Sequence, residues 1–249
     1  MAGHSHWAGI KHKKVLVDKK RAKVWSKISK ALTVAAKIGG GDPSSNPRLR
    51  VPLADAKAAR MPKDNIERAI KKGTGELDGG DLEEILYEGY GPGGVAIMCE
   101  IMTDNRNRTA PELRKLFETH GGKLGSTGCV GYLFERKGLC VISMDAVTEE
   151  SLIELAVEAG ADDVKRAGSN FELLCSPDVY ADLLAALDAA QMEPIVKELT
   201  RIPSTTVDLE LEDARRTLKL MEALDDHDDV QTVSANFNIP DQVMAELDE

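Results

Sequence analysis

At residues 73–81 the chain reads GTGELDGGD, and its patterning changes across that stretch. Four glycines interleaved with acids cannot pack, so the segment reads as a linker. Before it, apolar residues recur at helical spacing. Beyond it, short β-rich runs alternate with helices. A chain divided in this way is expected to build a small helical unit and then α+β layers, rather than one continuous bundle or sheet. With 249 residues there is room for two or three cores.

Charge divides at the same place. Residues 1–73 hold 18 Lys and Arg against five Asp and Glu, whereas the other 176 hold 14 against 37. The formal net charge of −10 therefore describes neither part. The first part is expected to seek polyanions and the rest to repel them. No apolar run approaches the roughly 20 residues of a membrane helix. The basic start has no apolar stretch behind it and is richer in Lys than in Arg and Ser, so we read it as mature protein in a cytoplasm, with no membrane partner.

From Asp18 to about Ile38 the pattern is an amphipathic helix. At about 100° per residue, Ile28, Leu32 and Ala35 share a stripe with Trp25, while Lys19, Lys20, Lys23, Lys27, Lys30 and Lys37 gather on the opposite side. Gly39 to Gly41 stop it. A second helix is expected within 47–60, with Pro52 forcing a later start or a kink, and a third from Pro62 to Gly73. After the linker, a hairpin is expected around Gly91-Pro92-Gly93-Gly94. A helix over NRTAPELRKLFETHGG follows, with Thr109 and Glu112 at capping-box spacing. Strands and helices then alternate to Asn236-Phe237. DDVKRAGSNF (162–171) and DDVQTVSANF (228–237) match at Asp-Asp-Val and Asn-Phe with an offset of 66, which suggests two α+β modules of one design, ferredoxin-like in kind.

Several motifs in order resemble the YebC family: MAGHSHW, IKHKK, GGGDPSSNPRLR, MPKDNIERAIKKGTG, YEGYGPGGVA, TDNRNRT and GGKLGSTGCVGYLFE. That family includes bacterial proteins described as transcriptional regulators and a mitochondrial translational activator of cytochrome oxidase subunit one. The resemblance implies an α+β fold with a helical domain at 1–78, an α+β domain at 79–134 and 205–249, and a second α+β domain at 135–204 inserted into it. Cys129 stands where the family pattern suggests serine.

The lysine face is either a solvated surface or a polyanion grip, and its near absence of acids favours the grip, because each phosphate neutralised releases counterions. The expected nucleic-acid contacts are Lys11, Lys13, Lys14, Lys19, Lys20, Lys23, Lys27 and Lys30, with Arg48, Arg50, Lys71 and Lys72 as secondary candidates. Trp7, among His4, His6 and His12, either stacks on a base or anchors the arm. GGGDPSSN lacks the Lys-Ser/Thr of a P-loop and reads as a helix stop. Arg106 and Arg108 lie where an anion could bind, or where Asp and Asn satisfy a turn. DDHDD (225–229) reads as a solvated loop. Cys99, Cys129, Cys140 and Cys175 form no CxxC pair, so reduced thiols are expected rather than disulfides or zinc. We expect no enzyme, metal or cofactor. Expected partners are DNA, or ribosomal or transfer RNA with the ribosome itself. The resemblance leaves two roles open, transcriptional regulator or translation factor, and a protein-interaction scaffold is a third reading. The oligomeric state is open.

Overall fold

The computed structural model describes residues 19–78 and 81–247, apart from the side chains of Lys19, Lys20, Arg21 and Asp241. Lys11, Lys13, Lys14 and Trp7 lie outside the described residues.

Helices α1 (Lys19–Gly39), α2 (Arg50–Ala58) and α3 (Lys63–Gly73) form the first unit around Leu32, Leu49, Ala56 and Ala69. Gly40 ends α1 in the left-handed region at φ 84°, and its N–H bonds back to the Ala36 carbonyl. The loop after it is filled by buried Asn46, whose amide donates to the carbonyls of Ala35 at 2.9 Å and Gly40 at 2.7 Å. GGGDPSSN is thus a helix stop closed by its own asparagine. Pro52 neither delays nor kinks α2: it occupies the first turn, where its missing N–H has no helical acceptor. α3 approaches α1 closely at Gly73, where a Cβ would lie 2.2 Å from the Thr33 carbonyl.

Strands β1 (Glu83–Tyr90) and β2 (Ala96–Thr103) form the expected hairpin, with Tyr90 opposite Ala96. Helix α4 (Arg106–Thr119) leads to the short β3 (Lys123–Leu124), and β4 (Phe134–Ser143) opens a second sheet. There follow α5 (Glu149–Glu158), β5 (Asp163–Ala167), β6 (Asn170–Cys175), α6 (Tyr180–Ala189) and β7 (Val196–Pro203). The chain then makes β8 (Val207–Asp208), α7 (Leu211–Asp225), β9 (Val230–Ala235), β10 (Phe237–Asn238) and α8 (Asp241–Leu247).

The sheets are nested in sequence. One has the order β3-β1-β2-β9, the other β5-β6-β4-β7, and β8 pairs in parallel with β10. The second sheet is wholly antiparallel and follows a βαββαβ path, the ferredoxin-like pattern. The first sheet takes another path: β1 and β2 are joined directly, and α7 reaches β9 from β8, which lies outside that sheet. The repeated Asn-Phe pair therefore opens β6 in one copy and straddles the start of β10 in the other, although Phe171 and Phe237 are both 1% exposed. β2 is covered on both sides. Ile97, Cys99 and Ile101 join the core with α4 and α7, while Ala96 and Met98 pack on Val130 and Phe134. Arg201 of β7 bonds Glu100 of β2 at 3.0 Å and joins the sheets.

The helix over NRTAPELRKLFETHGG is capped one turn earlier than the capping-box spacing implied. Asn105 is the cap, its side chain accepting from the Arg108 N–H at 3.2 Å. Two of the glycine-rich motifs prove to be a single device. Glu88 of β1 is 5% exposed, and its carboxylate accepts backbone N–H groups from Gly128, Val130 and Gly131, each at 2.7 Å. Burial pushes that carboxyl up, but the three donors outweigh it and hold the group below its usual range. The loop is built around this anion, so Glu88→Ala should lower stability by about 2–3 kcal/mol, and Glu88→Gln by less, in urea unfolding.

Candidate nucleic-acid interface

The lysine face of α1 is not open to solvent along its length. It lies against the acid run that ends α7. Lys23 Nζ is 3.3 Å from Asp226 Oδ1 and also donates to the Asp226 carbonyl. Lys27 Nζ is 3.2 Å from Asp225 Oδ1 and 3.0 Å from its carbonyl. Lys30 Nζ is 2.6 Å from Asp229 Oδ1 and 3.0 Å from the Asp228 carbonyl. Each lysine thus meets a carboxylate and a backbone carbonyl.

The physical reason lies at the end of α7. A helix C-terminus carries orphan carbonyls and partial negative charge, which basic side chains normally complement. The last turn of α7 has no basic residue and runs into Asp225 and Asp226. α1 supplies the missing cations at positions 23, 27 and 30, one or so per helical turn. DDHDD is therefore a docking loop, not the solvated loop expected from sequence.

Asp229 is the centre of the joint. It is 3% exposed and accepts from Lys30, from Arg108 at 2.9 Å, and from the hydroxyls of Thr109 at 2.7 Å and Thr103 at 3.2 Å. Burial raises its pKa, but the hydrogen bonds from Lys30, Arg108 and Thr109 more than reverse this, leaving it far below the usual carboxylate range. Arg108 thus meets the chain's own anion, and it also donates to Asp104 at 3.1 Å and to the Thr103 hydroxyl at 3.5 Å. His227 Nδ1 accepts the Asp229 N–H at 3.1 Å, which leaves Nε2 to donate to Glu112 at 3.0 Å. Asp229 thereby joins α1, the end of β2 and the first turn of α4.

Among the secondary candidates, Arg48 lies 3.7 Å from Glu84, and Lys37, also on the lysine side, lies 2.5 Å from Asp81. Lys19 and Lys20 fall in the first turn of α1. Arg50, Lys71 and Lys72 are exposed, as are Lys57, Arg60 and Arg68, and none of these six has an ion-pair partner among the described residues. The last three were not singled out from sequence, because Lys57 and Arg60 stand alone and Arg68 is surrounded by mixed charge in KDNIERAIKKG.

A cleft of about 690 Å³ opens where the three units meet, with Arg50 and Asp55 of α2 facing Lys197 of β7. Burial pushes Asp55 up to about 6, against the pull of Lys197. Cys99 and Cys140 are buried and pushed up to about 12, chiefly by burial. Among the described residues no three His, Cys, Asp or Glu side chains come together as metal ligands, and no helix is long and apolar enough to cross a membrane.

Removing one member of a buried charged cluster strands the others. Asp229→Ala leaves Lys30 and Arg108 facing each other and should cost about 3 kcal/mol, read as a lower unfolding midpoint. The native pKa of Asp229 is depressed, so its contribution is present above the unfolded value near 4 and is lost as pH falls below it; Asp229→Asn should remove that part of the acid sensitivity. Asp55 has the opposite sign. Its raised pKa favours the folded state at low pH and is a burden above about 6, so Asp55→Asn should stabilise the protein at pH 8 by on the order of 1 kcal/mol and have little effect at pH 4.

Residues 5–76 match the family model described as the TACO1/YebC protein N-terminal domain, and residues 82–237 match the TACO1/YebC second and third domain. A probable transcriptional regulatory protein of Rhodopirellula baltica is 59% identical over 247 residues, which is 99% of this chain and 100% of that one. A protein of the same description from Geobacter sulfurreducens is 54% identical over 247 residues, with 99% and 100% covered. The crystal structure of a conserved hypothetical protein from Aquifex aeolicus superposes with a TM-score of 0.85 at 47% identity, over 95% of this chain and 98% of that one. With both of its parts matched in order, the chain belongs to the TACO1/YebC family.

Proposed function

We propose that the chain is a non-enzymatic regulator of gene expression that acts by holding nucleic acid, with DNA as its target in a transcriptional role. The observation that carries this reading is the cationic surplus of the helical unit. After Lys23, Lys27 and Lys30 are taken by the acid loop, Arg50, Lys57, Arg60, Arg68, Lys71 and Lys72 remain exposed and without ion-pair partners among the described residues. Lys11, Lys13 and Lys14 add three more cations in sequence just before that unit. The names of the relatives, probable transcriptional regulatory proteins, support the same role.

A second reading, a translation factor on structured RNA or the ribosome, is favoured by one feature. α1 packs on α2 and α3 by its apolar stripe and on the acid loop by its lysines, so it cannot enter a major groove without undocking. Contact with the phosphate backbone needs no such entry. Ribosome co-sedimentation that survives removal of DNA would select translation, and salt-resistant preference for one promoter fragment would select transcription. For either target, affinity should fall steeply with salt: on duplex DNA, about six phosphate contacts give a log–log slope near −5, and a slope shallower than about −2 contradicts the proposal.

A further inference from the structure

The geometry points to the seam between α1 and α3 as the place where the helical unit holds a phosphate of the DNA backbone, an inference that rests on the nucleic-acid reading above. On the stripe of α1 beside the docked lysines, Ser26 and Ser29 face α3, which contributes Asn65, Arg68 and Lys72 at positions i, i+3 and i+7. These five side chains wall a cavity of about 240 Å³.

Its chemistry is that of an anion site. The walls carry two hydroxyls, one amide, one guanidinium and one ammonium, and no carboxylate. α3 carries two acids next to this wall and neither lines it: Glu67 lies 3.6 Å from Lys63, and Asp64, beside Asn65, is exposed. The floor is apolar and fixed: Trp25 is held by its indole N–H donating to the Ala59 carbonyl at 3.0 Å, and Met61 and Ala69 are buried. The seam itself is pinned by the Thr33 hydroxyl, which bonds the Ala69 carbonyl at 3.0 Å. A guanidinium beside an ammonium and hydroxyl donors suits the oxygens of a phosphodiester.

Position favours a polyanion over a single acidic side chain. In sequence, Lys19 lies seven residues before Ser26, and Lys11, Lys13 and Lys14 precede it. Lys71 follows on α3 beside Lys72. At the seam, Arg68, Lys71 and Lys72 are exposed and without ion-pair partners among the described residues, whereas the neighbouring lysine face is occupied by the chain's own aspartates.

The test is fluorescence anisotropy of the full chain on a duplex DNA, compared among Arg68→Glu/Lys72→Glu, Arg68→Lys/Lys72→Arg, and Arg114→Glu/Lys115→Glu. The last pair makes the same charge change at exposed positions on α4. The seam reversal should lose at least about 30-fold in affinity, the charge-retaining pair should stay within about 3-fold, and the α4 reversal should cost far less than the seam reversal. Arg68→Ala/Lys72→Ala should flatten the log–log salt slope by about 2. Equal losses from the seam and α4 reversals would overturn the seam while leaving DNA binding intact. No affinity of the unaltered chain for DNA would overturn the reading beneath it. Tighter binding to an RNA hairpin with the same dependence on Arg68 and Lys72 would overturn the DNA assignment. Competition by poly-glutamate as strong as by DNA would overturn the phosphate.

Discussion

The contact on which the rest of the arrangement depends is the joint between three lysines of α1 and the acid run after α7. Asp229 is nearly buried, and a buried carboxylate is tolerated only where hydrogen bonds and opposite charge replace the lost water. Lys30, Arg108 and two threonine hydroxyls do this. The same joint completes α7, whose C-terminal carbonyls and acids lack any cation of their own. One interaction therefore places the helical unit on the first sheet, ends a helix and neutralises part of the basic segment. The second sheet is attached through Arg201 and Glu100, and Thr200 adds a hydroxyl contact to Ser234.

This joint alters what the segregated charge means. A lysine face with no acids nearby in sequence looks like a grip for an external polyanion, yet the acids that meet it lie about 200 residues away. The external surface is what remains after internal pairing: the ends of α2 and α3 and the seam between α1 and α3. Glu88 follows a similar logic on a smaller scale. A glycine-rich loop with three N–H groups pointing inward resembles an anion cradle, and the anion it holds belongs to the chain.

Local features were the more legible in the sequence. The three N-terminal helices, the glycine stop after α1 and the hairpin at Gly91–Gly94 follow from periodicity and backbone chemistry, which act over a few residues. The expectation of an inserted domain came from the family resemblance and not from local pattern, whereas the faint repeat at 162 and 228 marked a shared Phe core position without the shared strand path. Long-range polar pairing was not legible. Thr109 looked like a helix cap because the spacing fits, but its hydroxyl is spent on Asp229 and Asn105 caps instead. The acid run gave one usable signal, a helix ending in acids with no base, which implies a cation from elsewhere. Arg68 was hidden because KDNIERAIKKG mixes signs; helical spacing alone puts Asn65, Arg68 and Lys72 on one side, but only the packing of α3 on α1 sets that side against Ser26 and Ser29.

The α1 lysines and the 225–229 loop are energetically coupled partners. A double-mutant cycle of Lys30→Ala and Asp229→Ala on unfolding free energy measures this most directly. The coupling should be about 1–3 kcal/mol, so that the second substitution costs much less once the first is made. Additive losses, with coupling within about 0.3 kcal/mol of zero, would contradict it.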